Sequence, residues 1–185
     1  MKTIFFAFIV MLSIGVLNSV ETFAQKLNVK AGFTYMNLKF EDQHFSGIQE
    51  EMAFGRTFQE NFNLMVGAKM SFTKDIATQK TCDYFTPFIA LQYSSKEWKI
   101  IEPYLNCQIG YYLSNDEKEY RERNLPAKNT NPVGAQIGAG IQLAVFKNTI
   151  HSASKIYIEV NYQSITQNEK AIWGYGIGAG FRTYL

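Results

Sequence analysis

The closing thirteen residues, Trp173 to Leu185, constrain this chain more than any other stretch. Odd positions carry Trp173, Tyr175, Ile177, Ala179, Phe181, Thr183 and Leu185, while even positions carry four glycines, then Arg182 and Tyr184. A period of two sustained over that length is a β-strand with one apolar face and one small or polar face. At the end of an open sheet such a strand leaves a long unpaired edge, which closure into a barrel removes. A strand that meets lipid must belong to a closed barrel, because hydrocarbon satisfies no backbone polar group. The segment therefore reads as a transmembrane barrel strand.

Seven further segments share the period: Lys26–Leu38, Ile48–Phe58, Asn63–Thr73, Cys82–Tyr93, Trp98–Leu113, Pro132–Phe146 and Lys155–Ile165. Each reaches the roughly 9–11 residues that a tilted spanning strand needs. Short links (Gln59 to Phe62, Ser94 to Glu97, Lys147 to Ser154) alternate with polar ones (Lys39 to Gly47, Lys74 to Thr81, Ser114 to Asn131, Thr166 to Ala171). This pattern predicts an all-β, eight-stranded antiparallel up-and-down transmembrane barrel, with both termini periplasmic and the polar links outside. Pro87 and Pro103 each remove a ladder donor and are expected to mark bulges or strand ends.

The head of the chain has another character. Met1-Lys2 precedes an apolar run from Ile4 to Leu17, and small residues at Thr22 and Ala24 precede Gln25. This is the layout of a secretory signal peptide over residues 1–24, leaving residues 25–185 as the barrel domain. The run is too short for a spanning helix, which takes ~20 residues. Residues 1–24 hold one Lys and one Glu, so their removal leaves the net charge at +2, which excludes a nucleic-acid binder.

With these features assembled, the chain resembles the small eight-stranded outer-membrane barrels of Gram-negative bacteria, the OmpA/OmpX-type family. The leader, the opening KLNVKAGFTY and the closing GYGIGAGFRTYL carry the likeness. The closing strand is similar to the signal by which barrels are recognised for insertion, with Leu185 in place of the usual Phe or Trp. The resemblance implies a porin-like cell-envelope protein of the outer membrane, in contact with outer-membrane lipid and inserted by the barrel-assembly machinery. It implies no single activity.

Parity assigns the two faces. Lys30, Glu102, Glu159 and Arg182 fall on the inward face three or four residues from the periplasmic strand ends. They are expected to form a lumen charge cluster in which Glu159 pairs with Arg182 and Glu102 or Glu159 reaches Lys30 across the lumen, with Glu51 and Lys69 also facing inward, inside a packed polar lumen, since eight strands leave room only for side chains. On the lipid face, Tyr35, Phe72, Phe85, Tyr111 and Trp173 are expected to form an outer aromatic girdle, and Phe58, Tyr93 and Trp98 an inner one. Cys82 and Cys107 are expected to be free: a turn centred near Ser95–Lys96 sets Cys82 opposite Ile109, with the two thiols on opposite sheet faces.

The function expected from the residues is a structural or surface-interaction role, adhesion-like, with the charged 114–131 loop open to an extracellular partner. No catalytic, cofactor-binding or metal-binding residues are expected. One alternative is a lipid A-modifying barrel enzyme, using His44 with Ser46 and Asp42 in the first outer loop. The other is a secreted lipocalin-type ligand-binding barrel, with its apolar faces turned inward.

Overall fold

The computed structural model describes residues 27–40, 43–58, 61–75, 77, 81–95, 101–114, 132–148, 152–167 and 170–184. The leader at 1–24, Asp42, Trp98 and residues 115–131 lie outside them. Eight antiparallel strands form: β1 (Leu27–Phe40), β2 (Gln43–Phe58), β3 (Phe62–Asp75), β4 (Thr81–Ser94), β5 (Ile101–Tyr111, resumed at Leu113–Ser114), β6 (Val133–Asn148), β7 (Ser152–Gln167) and β8 (Lys170–Tyr184). Each pairs with its chain neighbours, and β1 pairs with β8, so the sheet closes into an up-and-down barrel.

The register sets the shape. Directly opposed residues run from Asn28 through Gly55, Met65, Ala90, Gln108, Gln136, Gln163 and Gly174, and return to β1 at Leu38. The displacement from Asn28 to Leu38 is a shear of ten residues. At ordinary strand spacing and rise it corresponds to a tilt of about 40°, within the range of small barrels.

Alternation decides what faces where. Ile109, Phe181, Phe33, Ile177 and Ile137 are each more than 60% exposed, yet all lie inside strands and point outward. On β3 the outward positions Phe62 to Phe72 span ten residues, roughly 25 Å along the axis at that tilt. That matches the apolar band of an outer-membrane barrel. Glu50 and Arg56 are the charged side chains in this band among the described residues of β1–β3: Glu50 faces outward between Phe33 and Met70, and Arg56 between Leu27 and Leu64 near the band's lower edge. With apolar side chains outside and Lys30, Glu51, Lys69, Glu159 and Arg182 buried inside, the facing is the reverse of a lipocalin's.

This facing has a direct test. Ala139 lies halfway up the outer band, opposite Leu105 and Val160. Ala139→Arg is expected to destabilise the barrel by about 2–4 kcal/mol in lipid vesicles, read by urea unfolding. Wild-type stability for that variant would place this face in water.

Several strand limits differ from the sequence expectation. β2 begins at Gln43 rather than Ile48, because its polar first turn pairs with β1 and β3 beyond the apolar band. His44 and Ser46 therefore belong to a strand and not a loop. Phe62, expected in a turn, opens β3 and pairs with Phe58 and Tyr93. The described part of β5 begins at Ile101, and Ile109 lies opposite Ile89 rather than Cys82, a register centred near residue 99 instead of Ser95–Lys96. Cys107 lies opposite Leu91, nine residues along β4 from Cys82, and is a free, exposed thiol.

Neither proline makes a bulge. At Pro87 the β4–β5 ladder lapses between Phe88↔Gly110 and Phe85↔Leu113, but the register is unchanged on both sides. The missing N–H explains the gap, and it interrupts β5 at Tyr112. Pro103 sits within the start of β5, opposite Ile141. The register shift that does occur lies in β6, between Ala144 and Phe146.

Candidate functional site: the lumen and the lipid-facing belt

The lumen is a solid stack of side chains made possible by glycine. A Cβ on Gly32 would collide with the Tyr157 hydroxyl and lie 2.7 Å from the Ala179 carbonyl oxygen. One on Gly180, directly across from Gly32, would lie 2.6 Å from the Gly32 Cα and 2.7 Å from the same hydroxyl. Glu159 packs in the same way against Gly138, Tyr104 against Gly140 and Tyr112 against Gly134. The glycine face that marks the closing strand is thus the floor on which large interior side chains rest.

At mid-height lies a buried charge network. Glu51 is its hub: one carboxylate oxygen is 2.9 Å from Lys30 Nζ, the other 3.5 Å from Lys69 Nζ. Lys30 also reaches Glu159 at 3.4 Å and sits over the Tyr157 ring, 4.7 Å from its centre. Lys69 donates to Gln136 at 2.5 Å and lies over the Phe88 ring. Nearer the termini, Lys155 pairs with Glu102 at 2.5 Å, and Gln142 donates to the same carboxylate at 2.9 Å. Gln142 and Gln92 both donate to Ser94, and Asn28 donates to Asn63.

All four expected lumen residues, Lys30, Glu102, Glu159 and Arg182, point inward, but they do not form one cluster. Glu159 meets Lys30, while Glu102 belongs to the lower pair with Lys155. Arg182 lies between its cross-strand neighbours Lys30 and Lys155. Its guanidinium turns toward the Tyr104 ring, donates to Met65 Sδ at 3.4 Å and makes no ion pair with Glu159 among the described residues. The counts began from the wrong strand ends: Glu159 lies seven residues into β7, which begins at Ser152 rather than Lys155, and Glu102 one residue into the described part of β5. Sequence reading also assigned Glu51 and Lys69 to the lumen without partners, and left out Lys155. The signal for Glu51 was the short β2–β3 link, which sets Glu51 directly opposite Lys69.

The end remote from the termini is different. Met36, Leu38, Phe45, Tyr84, Tyr112, Ile165 and Ile172 all turn inward there and form one buried apolar cluster. The lumen is therefore mostly polar through its middle and its terminal end, with a small buried apolar cluster of Ala53, Met65, Phe88 and Ala90 among the polar groups and an apolar cap at the other end.

Outside, Tyr35, Phe72, Trp173 and Tyr93 are each 41–55% exposed, and Phe58, Phe85 and Tyr111 face outward with partial cover. Trp98 is outside the described residues. Phe62 joins this lower row, its ring 5.7 Å from Phe58 and 5.1 Å from Tyr93. Sequence reading missed it by starting the strand one residue late, at Asn63.

His44 and Ser46 lie two apart on the outward face of β2, and no hydrogen bond joins them among the described residues. A catalytic pair needs the base within hydrogen-bond reach of the nucleophile. Among the described residues no group of three His, Cys, Asp or Glu has metal-binding geometry.

No family profile matches this chain, and no curated protein matches it in sequence. Among solved structures, Neisserial surface protein A (NspA) superposes with a TM-score of 0.65 at 14% identity, over 84% of this chain and 95% of that one. The fold is that of an outer-membrane β-barrel. It agrees, at the level of fold, with the OmpA/OmpX-type resemblance of the opening and closing strands. The outer membrane protein OprG from Pseudomonas aeruginosa matches at a TM-score of 0.48 and 13% identity, over 88% of this chain and 96% of that one. The N-terminal barrel of Pseudomonas aeruginosa OprF matches at 0.43 and 14%, over 84% and 96%.

Proposed function

We propose that this protein is a non-enzymatic, non-conducting outer-membrane barrel that serves as a rigid platform for surface interaction. Residues 1–24 direct export and are removed before Gln25, and the barrel-assembly machinery inserts the remainder. Both termini lie in the periplasm, and the apolar cap faces outward beneath the longer links. Of these, the charged 114–131 loop is the surface that meets an extracellular partner.

The observation that carries this reading is the sealed lumen. A pore needs a continuous wet path, whereas here buried ion pairs fill the middle and apolar side chains close one end. A barrel that neither conducts nor holds a catalytic pair is left with its stability and its rim. Planar-bilayer recordings of the purified barrel are expected to show no steady conductance. Tyr112→Ala combined with Ile165→Ser, which cuts into the cap, is expected to produce brief openings. Large, stable channels from the unmodified protein would refute the platform reading.

A further inference from the structure

We propose that the outward face of β1–β3, at the end remote from the termini, binds the phosphate of a lipid headgroup. Four donor residues meet there in a parallelogram. Lys39 lies directly opposite His44, and Ser46 directly opposite Lys74. His44 and Ser46 are two apart on the central strand, so Lys39 is also the diagonal neighbour of Ser46. Directly opposed side chains start about 4.5–5.5 Å apart and diagonal ones about 7–8 Å. A lysine side chain on either flanking strand is long enough to reach one point above Ser46, where its hydroxyl also donates; in the structure the Lys39 ammonium turns the other way, over Trp173 of β8.

Position selects a lipid as the source of that phosphate. Immediately inside the donors, on the same three strands, Tyr35, Ile48 and Phe72 face outward in one row, each 46–55% exposed. Trp173 on β8 lies across from Lys39, whose ammonium sits 5.7 Å from the centre of its ring. The site is thus cationic above and aromatic below, at the edge of the apolar band, where a headgroup phosphate and the first carbons of its acyl chains lie together.

The charge balance agrees. Two lysines match the two charges of a phosphate monoester. Among the described residues of β1–β3, the one acidic side chain facing outward is Glu50, four residues along from Ser46 and inside the band. Asp83 on β4, directly opposite Phe72 and the diagonal neighbour of Lys74, is the nearest carboxylate to the site and has an interaction of its own.

Native mass spectrometry of the folded barrel released from detergent micelles tests the assignment, with bisphosphorylated lipid A as the probe and the same lipid A stripped of phosphate as the control. One bisphosphorylated lipid is expected to remain bound, and the stripped lipid to be lost. Near a membrane surface a lysine contributes about 1 kcal/mol, or about fivefold in affinity. Lys39→Gln with Lys74→Gln should therefore weaken retention about 25-fold, while Arg56→Gln, at the opposite edge of the band, leaves it unchanged. A gel comparing boiled and unboiled samples confirms that each variant is folded. Equal retention of the stripped lipid, full competition by inorganic phosphate at the lipid's own concentration, or a double variant that binds like wild type would each overturn the proposal.

Discussion

Replacing Glu51 by Ala is expected to cost roughly 3–5 kcal/mol of barrel stability. The carboxylate lies within ion-pair distance of both Lys30 and Lys69, and all three side chains are almost wholly buried. Without it two ammoniums remain in the lumen with Glu159 as the nearby counter-charge, and Glu159 touches only Lys30 of the two. A buried pair contributes modestly to stability, because desolvation offsets most of its Coulomb gain, whereas a charge left alone is costly. The variant Glu51→Leu with Lys69→Met removes charge in balance and should be more stable than Glu51→Ala alone. Urea titration of folded protein in lipid vesicles, followed by tryptophan fluorescence, reads both. Additive effects, with the double variant the less stable, would show the lumen to be wet enough to screen these charges.

Gly32→Val is expected to prevent the barrel from closing. Overpacking a tight core usually costs about 1–3 kcal/mol, because neighbours can shift. Here the first added carbon already meets the Tyr157 hydroxyl and lies 2.7 Å from a carbonyl oxygen of β8, across the seam where the first and last strands join. Backbone held by ladder bonds on both sides cannot move aside. Introducing Tyr157→Phe into the same variant removes the hydroxyl and should recover part of the folded fraction, seen as a band of altered mobility in unboiled samples. Normal folding of Gly32→Val would mean that the glycine rows are not the floor of a packed lumen.

The strands were legible in the sequence because a strand that separates lipid from a lumen must alternate, and alternation needs no knowledge of partners. Trp173 to Leu185 shows this without ambiguity. For the same reason the girdle residues Tyr35, Phe72, Trp173 and Tyr93 could be assigned to the outer face from parity alone. The limits were less legible. Gln43, His44 and Ser46 look like a loop by composition, but backbone pairing continues past the edge of the apolar band, where side-chain polarity no longer reports on it.

The sequence by itself thus determined the fold class, the number of strands and the side of the sheet on which each residue sits, all local consequences of a two-residue period. Which lumen residues meet was decided by the tertiary structure. Lys30 finds Glu51 and Glu159, Glu102 finds Lys155, and Arg182 turns to Tyr104 and Met65. The inward apolar cap of Met36, Leu38, Phe45, Tyr84, Tyr112, Ile165 and Ile172 likewise exists only when six strands bring their ends together. The physical reason is the shear. A displacement of ten residues around eight strands sums eight registers, seven set by where a connection folds and the last by closure of the β1–β8 seam. A slip such as that at the β4–β5 link moves every later contact in height while leaving each residue on its own face.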